Sequence, residues 1–352
     1  MKKLHRFRKK KQQSPEVTGR ITNETVAEHR EKILAGGRRF KYPLQYAKHK
    51  LVINTIIISV AALVLVILLV WWQLYPVQNT STFFYRITRV LPLPVASIDG
   101  QDVRYSNYLM GFRSQEHYLT TKENVDLYSK DNKQQLDWIK RQALDDAIED
   151  SYAQKIANEK GITVAEKMVD DAIQHQRQSR DGVTSQETYD AIVLDHFNWT
   201  PEEAREVTKR KLLRQEVAYK VDTTAARLRD QMTTLLATEK DFDKVAATVA
   251  PIASVRIEAS ITPLVPANNQ DGGLAEAASK LQVNEVSSVF RSTTGDGYYV
   301  VKLLQRDGEN RVSYASLKVP LTEFERQVDE LKKSDKIIEY IDVPEVKSPI
   351  TQ

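Results

Sequence analysis

The sequence predicts a mainly α-helical chain with an α+β domain behind it and a single N-terminal transmembrane helix. Three features carry that prediction. Residues 51–72 run for 22 positions without a charged side chain, which at about 1.5 Å per residue is enough to cross a hydrocarbon core of roughly 30 Å. From 132 to 219, apolar residues recur at helical spacing between capping signals. Beyond 254, β-branched runs punctuated by glycine replace that spacing.

The apolar run is framed as a membrane segment would be. Asn54 and Thr55 stand near its start, Trp71, Trp72 and Tyr75 at its end, and Pro76 follows, so the amphipathic rings fall at an interface. Residues 1–50 hold 15 Lys and Arg against four Glu, a net +11, and the remainder of the chain is −7. The positive-inside rule then predicts an N-terminus in the cytoplasm and residues 73–352 outside it. The bulky exit of the run argues for an uncleaved signal anchor over a cleaved leader. The basic tail, 1–50, is expected to be largely disordered, with a short helix near 26–34. It carries no aromatic- or glycine-rich motif that would suggest nucleic acid.

The outer 280 residues are long enough for two modest domains. The chain has no cysteine, which excludes disulfides, thiol catalysis and cysteine-based zinc sites. Residues 73–94 read as an extended juxtamembrane connector ending in Leu91-Pro-Leu-Pro. Residues 95–103 read as two short strands about an Asp99-Gly100 turn, and a helix is expected from Ser106 to about His117. The clearest amphipathic helix spans 132–160, with Leu136, Ile139, Ala143, Ala147, Tyr152 and Ile156 on one face and Gly161 ending it. Thr163 with Glu166 has the spacing of a capping box for the next helix. Residues 174–186 are expected to loop out, and 185–197 to form another helix. Thr200-Pro-Glu-Glu203 then supplies an N-cap, an N1 proline and an acidic first turn for a helix to about Tyr219. After a break near 221–224, helices are expected over 223–239 and 241–249, strands over 254–261, 286–290, 298–304 and 312–319, and a last helix over 321–340.

The order of these segments resembles the SurA/PrsA/PpiD class of extracytoplasmic foldases, in which a helical chaperone module accompanies a parvulin-type peptidyl-prolyl isomerase domain. Residues 96–103, 136–164 and 199–213 are similar to the opening hairpin, the central helix and turn, and the closing helix of the chaperone module. Lys240 to Ala246, Asp271-Gly-Gly-Leu274, Leu281 to Ser287 and Gly297 to Lys302 are similar to fragments of a parvulin domain. The resemblance implies a SurA N-terminal-like helical chaperone domain at 95–222, a parvulin-like domain at 223–343 and a short disordered tail at 344–352. It implies unfolded, newly exported polypeptides as partners, with the membrane reached through 51–72, and no cofactor.

The catalytic part of the resemblance breaks down residue by residue. A parvulin site is built around two histidines, and no histidine occurs after His196. The position matching the second family histidine is Tyr299. The pocket phenylalanine is replaced by Ser279. The strand that would carry the first histidine is best matched by 311–319, after the segment that matches the family's last strand, with Ser316 near the histidine position. A rearranged sheet is therefore expected, in which 312–319 pairs with 298–304. With no histidine pair and no pocket aromatic, little remains to lower a rotation barrier of about 18–20 kcal/mol, and no catalytic residue is assigned. The expected function is a membrane-anchored chaperone. The alternatives are an active prolyl isomerase with an unusual site and a non-catalytic envelope scaffold.

No nucleophile elbow, phosphate loop or zinc-protease motif is present. His175 beside Asp170 and Asp171, and His196 beside Asp195, read as solvated surface histidines. The adjacent pairs Glu149-Asp150, Asp170-Asp171 and Glu202-Glu203 point about 100° apart on a helix and read as solubilising charge or first-turn acids. Fifteen tyrosines offer aromatic surface for adaptable contact with unfolded chains.

Overall fold

A computed structural model describes residues 22–41, 43–179, 182–239, 241–249 and 258–346. The chain divides into two units, 1–72 and 73–352. In the first, α1 (Asn23–Lys41) precedes α2 (Pro43–Leu74), whose last two residues belong to the second unit. The tail is thus helical over 23–41 and 43–50, longer than the short helix expected, and residues 1–21 and 42 lie outside the described part. Within α2, Lys50–Leu74 is long and apolar enough to cross a membrane.

The second unit opens with a helix where an extended connector was expected: α3 (Thr82–Val90). Amphipathicity overrides the flanking prolines, because Tyr85 and Thr88 fall on one side and are buried. Next come β1 (Pro94–Ile98) and β2 (Gln101–Arg104), joined at Asp99 and Gly100, both at positive φ. The helices α4 (Tyr105–Thr121), α5 (Lys133–Lys160), α6 (Glu166–Gln176), α7 (Gln186–Phe197) and α8 (Pro201–Val221) follow. Gly161 ends α5 at φ 65°, the left-handed position where a Cβ is unfavourable. The cap expected at Thr163 does not form. Ala165 is the N-cap, without a side-chain bond, because Val164 is drawn into the small cluster with Val169 and Ile173 and delays the helix start. The expected loop at 174–186 contains a two-residue hairpin, β3 (Gln178–Ser179) with β4 (Gly182–Val183).

Past Asp222 the pattern changes, as expected. Helices α9 (Thr223–Leu236) and α10 (Phe242–Val249) lead to β5 (Glu258–Pro266), α11 (Leu274–Ser279), β6 (Phe290–Arg291), β7 (Gly297–Arg306) and β8 (Arg311–Pro320). The four strands form an antiparallel sheet in the order β5-β8-β7-β6. The expected pairing is present: Tyr298 faces Val319, Val301 faces Ser316 and Leu303 faces Tyr314. Strand alternation sends Tyr298, Val300, Leu317 and Val319 onto α9 and α10, and Tyr299, Val301, Leu303 and Tyr314 onto α11. Gly297 allows the backbones to close up, since a Cβ there would meet Val319 O at 2.4 Å.

The expected helix over 321–340 breaks in two. α12 (Glu323–Lys333) ends at Ser334, Asp335 takes φ 53°, and β9 (Ile337–Glu339) pairs antiparallel with β1. These last elements return to the helices: Phe324 is buried with Ile156, Ala157 and Val217. Asp222 is the joint. It is 1 % exposed, and its carboxylate accepts from Ala225 N at 2.7 Å, Thr322 N at 2.9 Å and Glu323 N at 3.1 Å. It therefore caps α9 and α12 together.

Replacing Asp222 by Ala removes the acceptor of one buried amide, at Ala225, and of two partly buried amides, at Thr322 and Glu323. The expected loss is about 2–4 kcal/mol, read as a lower urea midpoint for the chain. Asp222→Asn, which keeps an acceptor oxygen, is expected to lose less.

Candidate functional site

An apolar concavity of the second unit lies among α4, α5 and α8. Its volume is about 650 Å³, and Met110, Tyr118, Leu119, Trp138, Phe197 and Trp199 give it an apolar lining. A second cavity of about 430 Å³ shares Met110, Ser114, Phe197 and Trp199 and runs on to α3. Together they form one open cleft with Phe197 and Trp199 at its middle.

Local sequence holds those two rings in place. Asn198, at φ 55°, ends α7 through Asn198 N to Leu194 O. Two residues later the capping box starts α8: Glu203 N donates to Thr200 Oγ1 at 3.3 Å, and Thr200 N donates to Glu203 Oε2 at 3.0 Å. The connector is thus pinned at both ends. The Phe197 and Trp199 rings stack at 5.0 Å, and Phe197 keeps 41 % of its surface exposed. The buried indole nitrogen of Trp199 has no hydrogen-bond partner among the described residues.

One wall is charged. Arg210 reaches Asp150 at 3.3 Å, Glu206 at 2.8 Å and Met110 Sδ at 3.2 Å. Arg214 reaches Glu149 at 2.8 Å and Asp146 at 3.3 Å. Burial pushes the Glu149 carboxyl up to about 7; Arg214 opposes the shift, and Asp146 and Asp150 add to it. Burial also raises Asp150, against the pull of Arg214 and Arg210. The reading of Glu149 and Asp150 as solubilising charge is therefore corrected: both are half-buried and pair with arginines that bridge α5 and α8. Glu202 and Glu203 do stand in a first turn, and Glu203 also accepts from the Tyr85 hydroxyl. Asp170 pairs with Arg205, and Asp171 with Lys167.

The structure brings Tyr299 and Ser316 to one face of the sheet, on neighbouring strands. The Tyr299 hydroxyl donates to Asp296 Oδ2 at 2.7 Å, and Lys318 Nζ binds the same oxygen at 2.7 Å. Burial works against the charge of Asp296, but the bonds from Lys318, Ser292, Thr294 and Tyr299 hold its carboxyl well below the usual range. Ser316 is buried and shares a hydrogen bond of 2.8 Å with Ser260. Ser279 ends α11, with its hydroxyl on Glu276 O. His175 Nε2 lies 3.9 Å from Glu276 Oε2, and His196 Nδ1 lies 3.1 Å from Ile192 O. Among the described residues, no cluster of three or more His, Asp or Glu is placed to hold a metal ion.

Residues 45–242 match the SurA-like N-terminal domain family. The match covers more than half of the sequence and contains every residue of the cleft. The chain belongs to the SurA-like N-terminal domain family. That membership points to periplasmic chaperones that bind unfolded polypeptides. The SurA-like match stops at 242, ahead of the four-stranded sheet. No curated protein matches the chain.

The cleft-lining residues of this SurA-like domain were not singled out by sequence reasoning, which noted only a general abundance of tyrosine. One local signal was available. Phe197-Asn-Trp199 places two large aromatics in a connector between a helix stop and a capping box, a place where core packing does not require them.

A group whose folded pKa is raised stabilises the fold most at low pH and loses that contribution as pH rises through the folded value. The stability difference between the native protein and Glu149→Gln is therefore expected to move against the native protein as pH rises from about 4.5 to about 7. Paired denaturation curves across that window check this. A difference independent of pH would contradict the burial of Glu149.

Proposed function

We propose that this protein is a membrane-anchored extracytoplasmic chaperone of the holdase type. It is held by 51–72 with its N-terminus in the cytoplasm, and it binds unfolded exported polypeptides without isomerase catalysis. The observation that carries the reading is the open apolar cleft of the SurA-like part, a shelf of stacked Phe197 and Trp199 beside Met110, Tyr118 and Trp138. Aromatic and Met side chains at an open surface make adaptable, sequence-tolerant contacts. The wall of Asp146, Asp150, Arg210 and Arg214 carries both signs, which suits segments of either charge. Such binding needs no cofactor or covalent step, and a tether near the export site raises the effective concentration of clients.

In this reading 95–222 is the chaperone domain and 223–343 a rearranged parvulin-like domain, with α12 and β9 closing the helical part. The reading is supported by β8, which takes an interior place in the sheet between β5 and β7, the place required of a strand carrying Ser316 next to Tyr299. The same placement favours the second reading, an active prolyl isomerase. Against it, both hydroxyls are already engaged, Tyr299 with Asp296 and Ser316 with Ser260.

The test uses the full chain in lipid nanodiscs. It is expected to suppress aggregation of an unrelated unfolded protein. Phe197→Asp, at an exposed ring, is expected to weaken that suppression about tenfold, the scale of one lost apolar contact of ~1.5 kcal/mol. Tyr299→Phe is expected to leave it unchanged. Proline isomerisation of a tetrapeptide that is lost in Tyr299→Phe would overturn this reading in favour of the isomerase. An unchanged Phe197→Asp would remove the cleft from the account and favour a scaffold for a dedicated envelope partner.

A further inference from the structure

The helix α3 has two faces, one buried and one exposed among the described residues. Tyr85 and Thr88 are buried. On the other side, Phe83 and Val90 are 66 % and 80 % exposed, and Leu91 follows at 49 %. Arg86 is exposed between them. Residues 83, 86 and 90 are three and four apart and so form one stripe along the helix.

The place of this stripe identifies its occupant. Leu74, the last residue of the apolar helix, is fully buried in the second unit, and its carbonyl accepts from the Tyr105 hydroxyl at 2.6 Å. The chain then folds straight back: Asn79 N donates to Gln73 O at 2.8 Å, and Asn79 Nδ2 donates to Gln73 Oε1 at 2.9 Å. Asn79 Oδ1 in turn accepts from Ser81 N at 3.0 Å, one residue ahead of α3. The start of α3 is therefore fixed beside the residue where the apolar helix ends. A short helix with Phe83 and Val90 on one side and Leu91 directly after it, held at that point, has the composition of an interfacial helix. A guanidinium within the stripe can extend along its stem toward lipid phosphate.

We propose that α3 lies in the outer-leaflet interface of the membrane, with Phe83, Val90 and Leu91 at the headgroup–acyl boundary and Arg86 on lipid phosphate. The proposal rests on the reading of 51–72 as a membrane span. It has a consequence for the cleft. Thr82, Tyr85, Arg86 and Val90 of α3 also line the smaller cavity that joins it, so the cleft opens at the bilayer surface, where an exported chain leaves the membrane.

The absence of cysteine makes single-cysteine labelling of the full chain clean. Ile58→Cys in the apolar helix, Phe83→Cys and Val90→Cys in α3, and Ile261→Cys on β5, 74 % exposed, each carry a polarity-sensitive fluorophore. The proteins are reconstituted in phosphatidylcholine–phosphatidylglycerol vesicles with and without doxyl-labelled lipid. Interfacial helices bury their apolar face about 5–10 Å into the headgroup boundary, so a roughly twofold loss of emission is expected at 58, 83 and 90, with none at 261. The loss at 83 and 90 is expected to be the same at one chain per vesicle as at many. Quenching at 58 without quenching at 83 and 90 overturns the proposal and leaves the anchor standing. No quenching at 58 overturns the anchor and the proposal together. An emission change at 83 and 90 that appears only at many chains per vesicle assigns the stripe to a second copy and also overturns the proposal.

Discussion

At Asp222 the helices, the sheet and the returning end of the chain meet. One buried carboxylate satisfies amides at the starts of α9 and α12, segments about 100 residues apart in sequence. Two helix N-termini present partial positive charge to the same point, and an acid is the side chain that suits both. The core around Phe324 depends on this joint, because α12 brings Phe324 onto Ile156 and Val217. So does the pairing of β9 with β1. Arg141, 4 % exposed, pairs there through its terminal guanidinium nitrogens with Glu339 at 2.6 Å and Asp145 at 2.8 Å. A buried arginine with these partners would be costly without them. The helical part is therefore complete only once the chain end has returned to it.

That constraint gives the cleft a rigid frame. The walls come from α4, α5 and α8, and α5 and α8 are held by the same C-terminal segment. The shelf of Phe197 and Trp199 is pinned between a left-handed stop and a capping box. What can adapt is the side-chain surface: a thioether, aromatic rings and arginines with acidic partners on either side. A binding surface with a fixed frame and adaptable lining fits partners that share apolar character but no sequence.

Much of this was legible locally. The capping box at Thr200, the glycine stop at 161 and the apolar run at 51–72 are short-range signals whose partners lie within a turn or two. The pairing of 298–304 with 312–319 was legible because two β-branched runs flank a short turn. The rest depends on distant contacts. Residues 321–340 carry helical periodicity, yet Asp335 breaks it so that Ile337 to Glu339 can pair with a strand about 240 residues earlier in the chain. Thr163 offers a good capping box and loses it to the burial of Val164. Glu149 and Asp150 look like surface charge until Arg210 and Arg214 arrive from another helix. Tyr299 and Ser316 were located by resemblance, but their bonds to Asp296 and Ser260 come from strand register and a turn.

The central claim is that unfolded polypeptide binds in the cleft of the SurA-like domain and not at the sheet. The most direct measurement is site-specific photocrosslinking of an unfolded polypeptide to the full chain in lipid, with the crosslinker placed in turn at 118, 138, 197, 299 and 316. The account predicts adducts at 118, 138 and 197, lost on competition with a second unfolded protein, and none at 299 or 316. Adducts concentrated at 299 and 316, with none in the cleft, would contradict it.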